Sequence, residues 1–203
     1  MALDKQIADT DDARDIAAMI ERARVAQAQI EHYTQEQVDE LIKAMVWSCC
    51  QPGVAENIAQ HTLDETQLGD YNGKYAKIFT KTRAALMDII DDKSVGVIEE
   101  DTERNIIKIA KPVGVIGALS PSTNPEATPV IKGINAVKGR NAIIVAPHPR
   151  AKLTNKMIID NMRAALEKAG INAHLATEIP PELVDYIVYA PNSDLQDFAP
   201  YTR

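Results

Sequence analysis

The 203-residue chain carries only two cysteines, and Cys49 and Cys50 are neighbours. Adjacent thiols supply neither a disulfide framework nor the spaced ligands of a zinc site. Cys49 also falls in register with an apolar helical stripe, and no His or Asp stands at a telling distance from Cys50, so no thiol nucleophile is read here. Basic charge is short as well: 22 Lys and Arg against 29 Asp and Glu give a net charge of −7. Nucleic acid, which requires a concentrated basic surface, is excluded as a partner. No apolar run approaches the length of a membrane span, and Met1-Ala-Leu-Asp-Lys lacks a signal peptide's apolar region, so a cytoplasmic protein is expected. There is no G-x-G-x-x-G and no G-x-x-x-x-G-K-[ST], hence no ordinary phosphate turn. Internal repeats and low-complexity tracts are also missing.

What is present divides into three stretches. Residues 1–92 form a helical lead. Ile16, Met19, Ile20, Ala23 and Ile30 recur at helical spacing, and Thr34-Gln-Glu-Gln37 is a capping box that opens a second helix. Val38, Leu41, Ile42, Met45 and Cys49 make that helix's stripe, and Pro52-Gly53 breaks it. Further helices are expected over Val54–Leu63 and Tyr75–Ile90, with a turn from Gly69 to Gly73. Residues 93–111 read as two short strands around a polar turn, Val95–Ile98 and Ile106–Ile109.

Residues 112–203 begin as a βαβ unit. Val113–Leu119 is an apolar run bounded by Pro112 and Pro121, Ser120–Asn124 is a polar loop, and Pro125 stands where a helix would start. A second strand, Ala142–Ala146, ends at Pro147-His148-Pro149. A helix over Thr154–Ala169 stops at Gly170, a short strand is expected at Ala173–Ala176, and Pro180-Pro181 opens a last helical segment toward Tyr189. The fold class is therefore α/β: a helical lead followed by the first half of an open Rossmann-like parallel sheet. In such sheets ligands collect beyond the carboxyl ends of the strands, where both polar loops lie.

Asn124 is the strongest single candidate. In its plain role Asn124-Pro125 is a helix start, the amide oxygen accepting the N–H of Ala127 or Thr128. That arrangement would leave the NH2 facing out of the loop, as a neutral donor where an oxyanion could form. Ser120, Pro121, Ser122 and Thr123 add hydroxyls and main-chain N–H groups suited to an anion. Pro147, His148, Pro149 and Arg150 form a stiffened segment, with Lys152 close by. It is either a phosphate grip, extended and outward, or a solvated basic turn. His32, His61 and His174 are isolated and read as structural or exposed. Acidic pairs such as Asp91-Asp92 read as solvated helix ends.

Pro112-Val-Gly-Val-Ile-Gly-Ala-Leu-Ser-Pro-Ser-Thr-Asn-Pro125 resembles the aldehyde dehydrogenase segment in which a strand leads to a Pro-x-Asn loop. Thr123-Asn-Pro-Glu-Ala-Thr-Pro129 and Gly139-Arg-Asn-Ala-Ile-Ile-Val-Ala-Pro-His-Pro-Arg-Ala-Lys152 are similar to the coenzyme A-acylating branch of that superfamily. The resemblance runs from about Ile16 to Gly170. It implies oxidation of a small aldehyde by NAD or NADP through a cysteine thioester that is handed to coenzyme A. It implies that Asn124 helps hold the tetrahedral oxyanion. It further implies that Ser120–Thr123 run beside the nicotinamide and phosphates, and that Pro147–Arg150 meet the adenosine part. Many non-acylating relatives have Lys-Pro where this chain has Ala146-Pro147, which leaves NAD against NADP open.

Members of that family are well over twice as long as this chain. The resemblance therefore implies an amino-terminal part without the catalytic domain and its nucleophilic cysteine, inactive alone. The alternatives are a truncated non-catalytic remnant, or a subunit that needs a separate carboxyl-terminal catalytic half. A homo-oligomer is a further option.

Overall fold

The leading helices begin and end where local chemistry starts and stops them. The computed structural model describes residues 11–171 and 173–178. Helix α1 (Asp11–Ile30) opens on Asp11 and Asp12, which suit the positive end of a helix, and buries Met19, Ala23, Ala26 and Ile30 at spacings of three and four. Helix α2 (Gln35–Cys50) carries the expected capping box. Thr34 Oγ1 accepts the Gln37 N–H at 3.3 Å, and Gln37 Oε1 accepts the Thr34 N–H at 2.9 Å. Helix α3 (Val54–Thr66) follows Gly53, whose φ of +81° only glycine adopts without strain.

Helix α4 (Tyr71–Ile89) begins four residues before its expected start, and the turn is correspondingly shorter than Gly69–Gly73. The reason is Asp70, whose carboxylate accepts the Gly73 N–H at 2.9 Å and draws that glycine into the first helical turn. Strands β1 (Gly96–Asp101) and β2 (Ile106–Ala110) then form an antiparallel hairpin, as the two apolar runs suggested.

The parallel sheet consists of β3 (Val115–Leu119), β4 (Ala142–Ala146) and β5 (Ala176–Glu178), in that spatial order. Helix α5 (Thr128–Lys138) connects the first two and α6 (Lys152–Lys168) the last two. Every residue of β4 is buried, whereas in β3 only Ala118 is buried, Val115 and Ile116 are half-buried, and Gly117 and Leu119 are exposed. The third strand starts at Ala176 rather than Ala173, because a 3-10 turn occupies Ala173–Leu175. The helical segment expected from Pro180 to Tyr189 lies outside the described residues.

Two helix ends show why particular residues recur. Gly170, with φ +76°, ends α6 in a Schellman turn: its N–H reaches the Glu167 carbonyl, and the Ile171 N–H reaches that of Leu166. Helix α5 ends in the same bond pattern, but Arg140 takes the left-handed position, with φ +58°. Gly139 precedes it because a Cβ there would lie 2.7 Å from Asn141 Nδ2. Asn141 in turn accepts the N–H groups of Val113 and Gly114 at 2.6 and 2.9 Å, and donates to the carbonyls of Ala136 and Gly139. Arg140 donates to the carbonyls of Glu31 and Ala110 at 2.6 and 3.0 Å. Gly139-Arg-Asn141 is a structural joint that seats β3 beside β4.

Helix α2 is the hub, packed against α3, α4, α5 and α6, while α1 lies against β3 and β4. Ile42, Met45, Ile58, Ile78, Ile134, Ile143, Ile158 and Met162 are fully buried in one continuous core. Each such side chain contributes roughly 1.5–3 kcal/mol relative to exposure.

Candidate active-site loops

Leu119 lies opposite Ala146 in the β3–β4 ladder, so the two loops singled out in the sequence leave the same end of the sheet. The Ser120 N–H donates to the Ala146 carbonyl at 2.9 Å and ties the loops at their roots. The sequence candidates Ser120–Asn124 and Pro147–Arg150 are thus brought side by side.

The β3–α5 loop is held by lysines that the sequence did not advertise. Lys74 and Glu126, 2% and 0% exposed, form an ion pair at 3.3 Å, and Lys74 Nζ also donates to the Thr123 carbonyl at 3.0 Å. Lys77, one helical turn along α4, lies 3.7 Å from Glu126 and donates to Asn124 Oδ1 at 2.9 Å. Lys132 donates to the Leu119 carbonyl at 2.6 Å. A signal for Lys74 did exist, since it stands in register with Ile78 and Thr82 on the buried stripe of α4. A charge on such a stripe must find a partner inside.

Asn124 is exposed at the mouth of the sheet. Its local role differs from the expected side-chain cap. The main-chain carbonyl of Asn124, not its amide oxygen, accepts the N–H groups of Ala127 and Thr128, at 3.3 and 3.1 Å. The amide oxygen is taken by the Lys77 ammonium, a charged donor stronger than a main-chain N–H. Regular helix accordingly begins at Thr128, so the proline just inside it is Pro129 rather than Pro125. On the amino side, Asn124 Nδ2 has one long contact, 3.4 Å to Thr123 Oγ1. Ser120 is buried, and its hydroxyl has no hydrogen-bond partner. Pro121 and Thr123 are exposed, with Ser122 half-buried between them.

The β4–α6 loop spends its polar groups on the protein itself. Pro149–Ala151 is a 3-10 turn, so Arg150 is not held extended. Its guanidinium donates to the Thr66 carbonyl at the end of α3, at 2.8 Å. His148 Nδ1 accepts the Arg150 N–H at 3.1 Å. Burial and the neighbouring Arg150 charge lower the His148 pKa, so the ring is neutral near pH 7, with its proton on Nε2. Glu65, reaching over from α3, accepts the N–H groups of Leu153 and Thr154, both at 2.8 Å. Its carboxylate fills the positive end of α6, the place a bound phosphate would otherwise favour. Pro147 is buried and Pro149 half-buried.

Other chemistry is sparse. Burial pushes the Cys49 thiol up to about 12, and Cys50 is raised for the same reason. Both sit in the helical core, Cys49 as its register on α2 foretold. His32 is exposed, while His61 and His174 are half-buried. Among the described residues no group of three His, Cys, Asp or Glu could hold a metal ion, and no helix is long and apolar enough to cross a membrane. A groove of about 680 Å³ runs between α1 and the sheet face, lined by Ile16, Ile20, Arg24, Val113, Val115 and Leu119. It reaches the last residues of β3 and β4 but is not lined by Asn124.

No family model matches the chain. Similar proteins do. A sulfoacetaldehyde dehydrogenase of Acholeplasma is 48% identical over 151 residues, 74% of this chain and 31% of that protein. The acetylating succinate-semialdehyde dehydrogenase of Clostridium kluyveri is 42% identical over 179 residues, 88% of this chain and 37% of that one. In structure, an acetylating aldehyde dehydrogenase from Geobacillus thermoglucosidasius superposes with a TM-score of 0.78 at 32% identity, covering 84% of this chain and 38% of its own. The chain thus spans about a third of the length of these two relatives.

Proposed function

The chain is related, in sequence and in fold, to the amino-terminal part of the coenzyme A-acylating aldehyde dehydrogenases, and from that premise we propose that it supplies the oxyanion-holding amide and part of the nucleotide contacts for such a reaction. The observation that carries this proposal is Asn124: a neutral carboxamide, exposed at the carboxyl end of β3, with its amino group nearly free. When a thiolate adds to an aldehyde, charge develops on the carbonyl oxygen, and a fixed N–H donor aimed there lowers the barrier. A neutral donor holds that oxyanion without trapping it, so the carbonyl can re-form as the thioester.

Ser120, buried with an unpartnered hydroxyl, fits a polar ligand lying along the loop, and Ser122 and Thr123 extend the same polar edge. A nicotinamide dinucleotide bound there would accept the hydride lost from the substrate carbon. His148 retains Nε2–H and Arg150 retains further N–H groups, so Pro147–Arg150 would meet the cofactor's outer part. The phosphates, however, would find the start of α6 already occupied by Glu65. Coenzyme A is the acyl acceptor in this proposal, and a small aldehyde the substrate.

Neither buried thiol in this chain is placed as a nucleophile, so the chain by itself is inactive and works with a carboxyl-terminal catalytic half. The apolar groove beside α1 and the place of β3 at the edge of the sheet among the described residues support the need for such a partner. The test is aldehyde-dependent NADH formation with coenzyme A. The chain alone should give none, and addition of the carboxyl-terminal part of an acylating relative should restore turnover. Activity from the chain alone would overturn the missing-nucleophile claim. Full activity of an Asn124→Ala variant in the reconstituted pair would overturn the role of the amide.

A further inference from the structure

We infer that Lys77 is a positioning residue that sets which way the Asn124 carboxamide faces. The inference rests on the oxyanion role proposed for Asn124 and adds a residue from another part of the chain to it. An asparagine side chain can present either its oxygen or its NH2 to a given neighbour, and the two ends look alike in shape. A lysine ammonium removes that freedom, because it only donates. With Lys77 Nζ 2.9 Å from the amide oxygen, the NH2 must lie on the opposite side. Rotation of the amide would set a donor against a charged donor.

Lys77 is itself held from behind. Glu126 is fully buried, and Lys77 Nζ lies 3.7 Å from its Oε1, an oxygen with no hydrogen-bond partner. Lys74 binds the other carboxylate oxygen at 3.3 Å and the Thr123 carbonyl at 3.0 Å, fixing the main chain immediately before Asn124. Two lysines one turn apart on α4 therefore clamp one loop: Lys74 holds its backbone and Lys77 holds its side chain. The ammonium also polarises the amide, drawing electron density toward oxygen and making the N–H groups better donors. The positive charge stays on the far side of the amide from any substrate, so the group that touches an oxyanion remains neutral. Lys77 is 37% exposed in its side chain, so its replacement leaves the core intact.

The experiment has two arms. In the purified full chain, the side-chain NH2 cross-peak of Asn124, identified by its loss in N124A, is followed by 15N–1H NMR. Lys77→Met should move that cross-peak while the backbone peaks of α5 stay in place, and Lys77→Arg, which also only donates, should return it toward its original position. An unmoved cross-peak in Lys77→Met overturns the inference. In the chain reconstituted with a carboxyl-terminal part, Lys77→Met should lower kcat about 10-fold or more, short of the ~10²–10³-fold expected for loss of the donor itself, with KM for the aldehyde nearly unchanged. If Asn124→Ala abolishes turnover while Lys77→Met does not lower it, Lys77 fails and the amide's role stands. If Asn124→Ala leaves turnover intact, the amide's role fails, whereas the NMR arm, which needs no activity, still decides whether Lys77 orients it.

Discussion

The two loops at the end of the parallel sheet leave adjacent strands one hydrogen bond apart, yet they use their polar groups in opposite ways. In the β3–α5 loop, buried charges secure the backbone and leave a side-chain amide facing outward. In the β4–α6 loop, side chains turn back on the protein: Arg150 donates to the Thr66 carbonyl, His148 Nδ1 accepts the Arg150 N–H, and Glu65 arrives from α3 to fill the helix end. A position beyond a strand's carboxyl end is thus no guarantee of a free site. What matters is whether the protein has left a polar group unspent there.

The sharpest way to break this contrast is to remove the anchor of the first loop. Lys74→Met leaves the buried Glu126 carboxylate with only the more distant Lys77 and should cost about 3–5 kcal/mol in urea unfolding. The double variant with Glu126→Leu should recover much of that loss, because no lone charge remains. An equal loss in single and double variants would show that the pair is not coupled.

Next in size is the free amide. Asn124→Ala should change stability by less than about 0.5 kcal/mol, as surface substitutions do. In a reconstituted enzyme it should slow turnover by about 10²–10³-fold. An inverted result, stable activity with lost stability, would make Asn124 a structural residue like those of its neighbouring loop.

The second loop predicts the reverse behaviour. Glu65→Ala should cost about 0.5–2 kcal/mol, the usual worth of a helix cap. It should also uncover an anion site, so that added phosphate raises the melting temperature of the variant more than that of the unchanged chain. Equal responses to phosphate would mean that Glu65 does not occupy the site.

An effect that is smallest near neutral pH and grows only in alkaline buffers concerns the thiols that neither loop uses. Cys49 is pushed from its ordinary 9.0 to about 12 by burial, so the folded chain keeps a proton that the unfolded chain gives up. The stability this provides is complete below pH 9 and lost as pH rises toward about 12. Urea midpoints taken from pH 8 to 11 should fall, and Cys49→Ala should flatten that decline.

Much of this architecture was legible residue by residue. The capping box at Thr34, the break at Pro52-Gly53, the run Ala142–Ala146 and the stop at Gly170 each act within a few residues of themselves. Asn124 is legible as a residue before a helix, but its amide oxygen accepts from Lys77, 47 residues earlier, and not from the helix it precedes. Gly139-Arg-Asn141, which opens one of the two stretches that carry the resemblance, is a joint between strands. The sequence leaves Arg150 either an outward phosphate grip or part of a solvated turn, whereas Thr66, 84 residues away, holds its guanidinium.

From sequence alone came the order of helices and strands, the βαβ unit and the burial of Cys49, since periodicity and capping are short-range effects carried by neighbours in the chain. Packing alone decided which charges meet. Lys74 with Glu126, Lys77 with Asn124 and Glu65 with Thr154 join residues 47 to 89 positions apart. An ion or a donor takes whichever partner the folded core brings within hydrogen-bond reach, here 2.8–3.3 Å, and no local pattern encodes that distance.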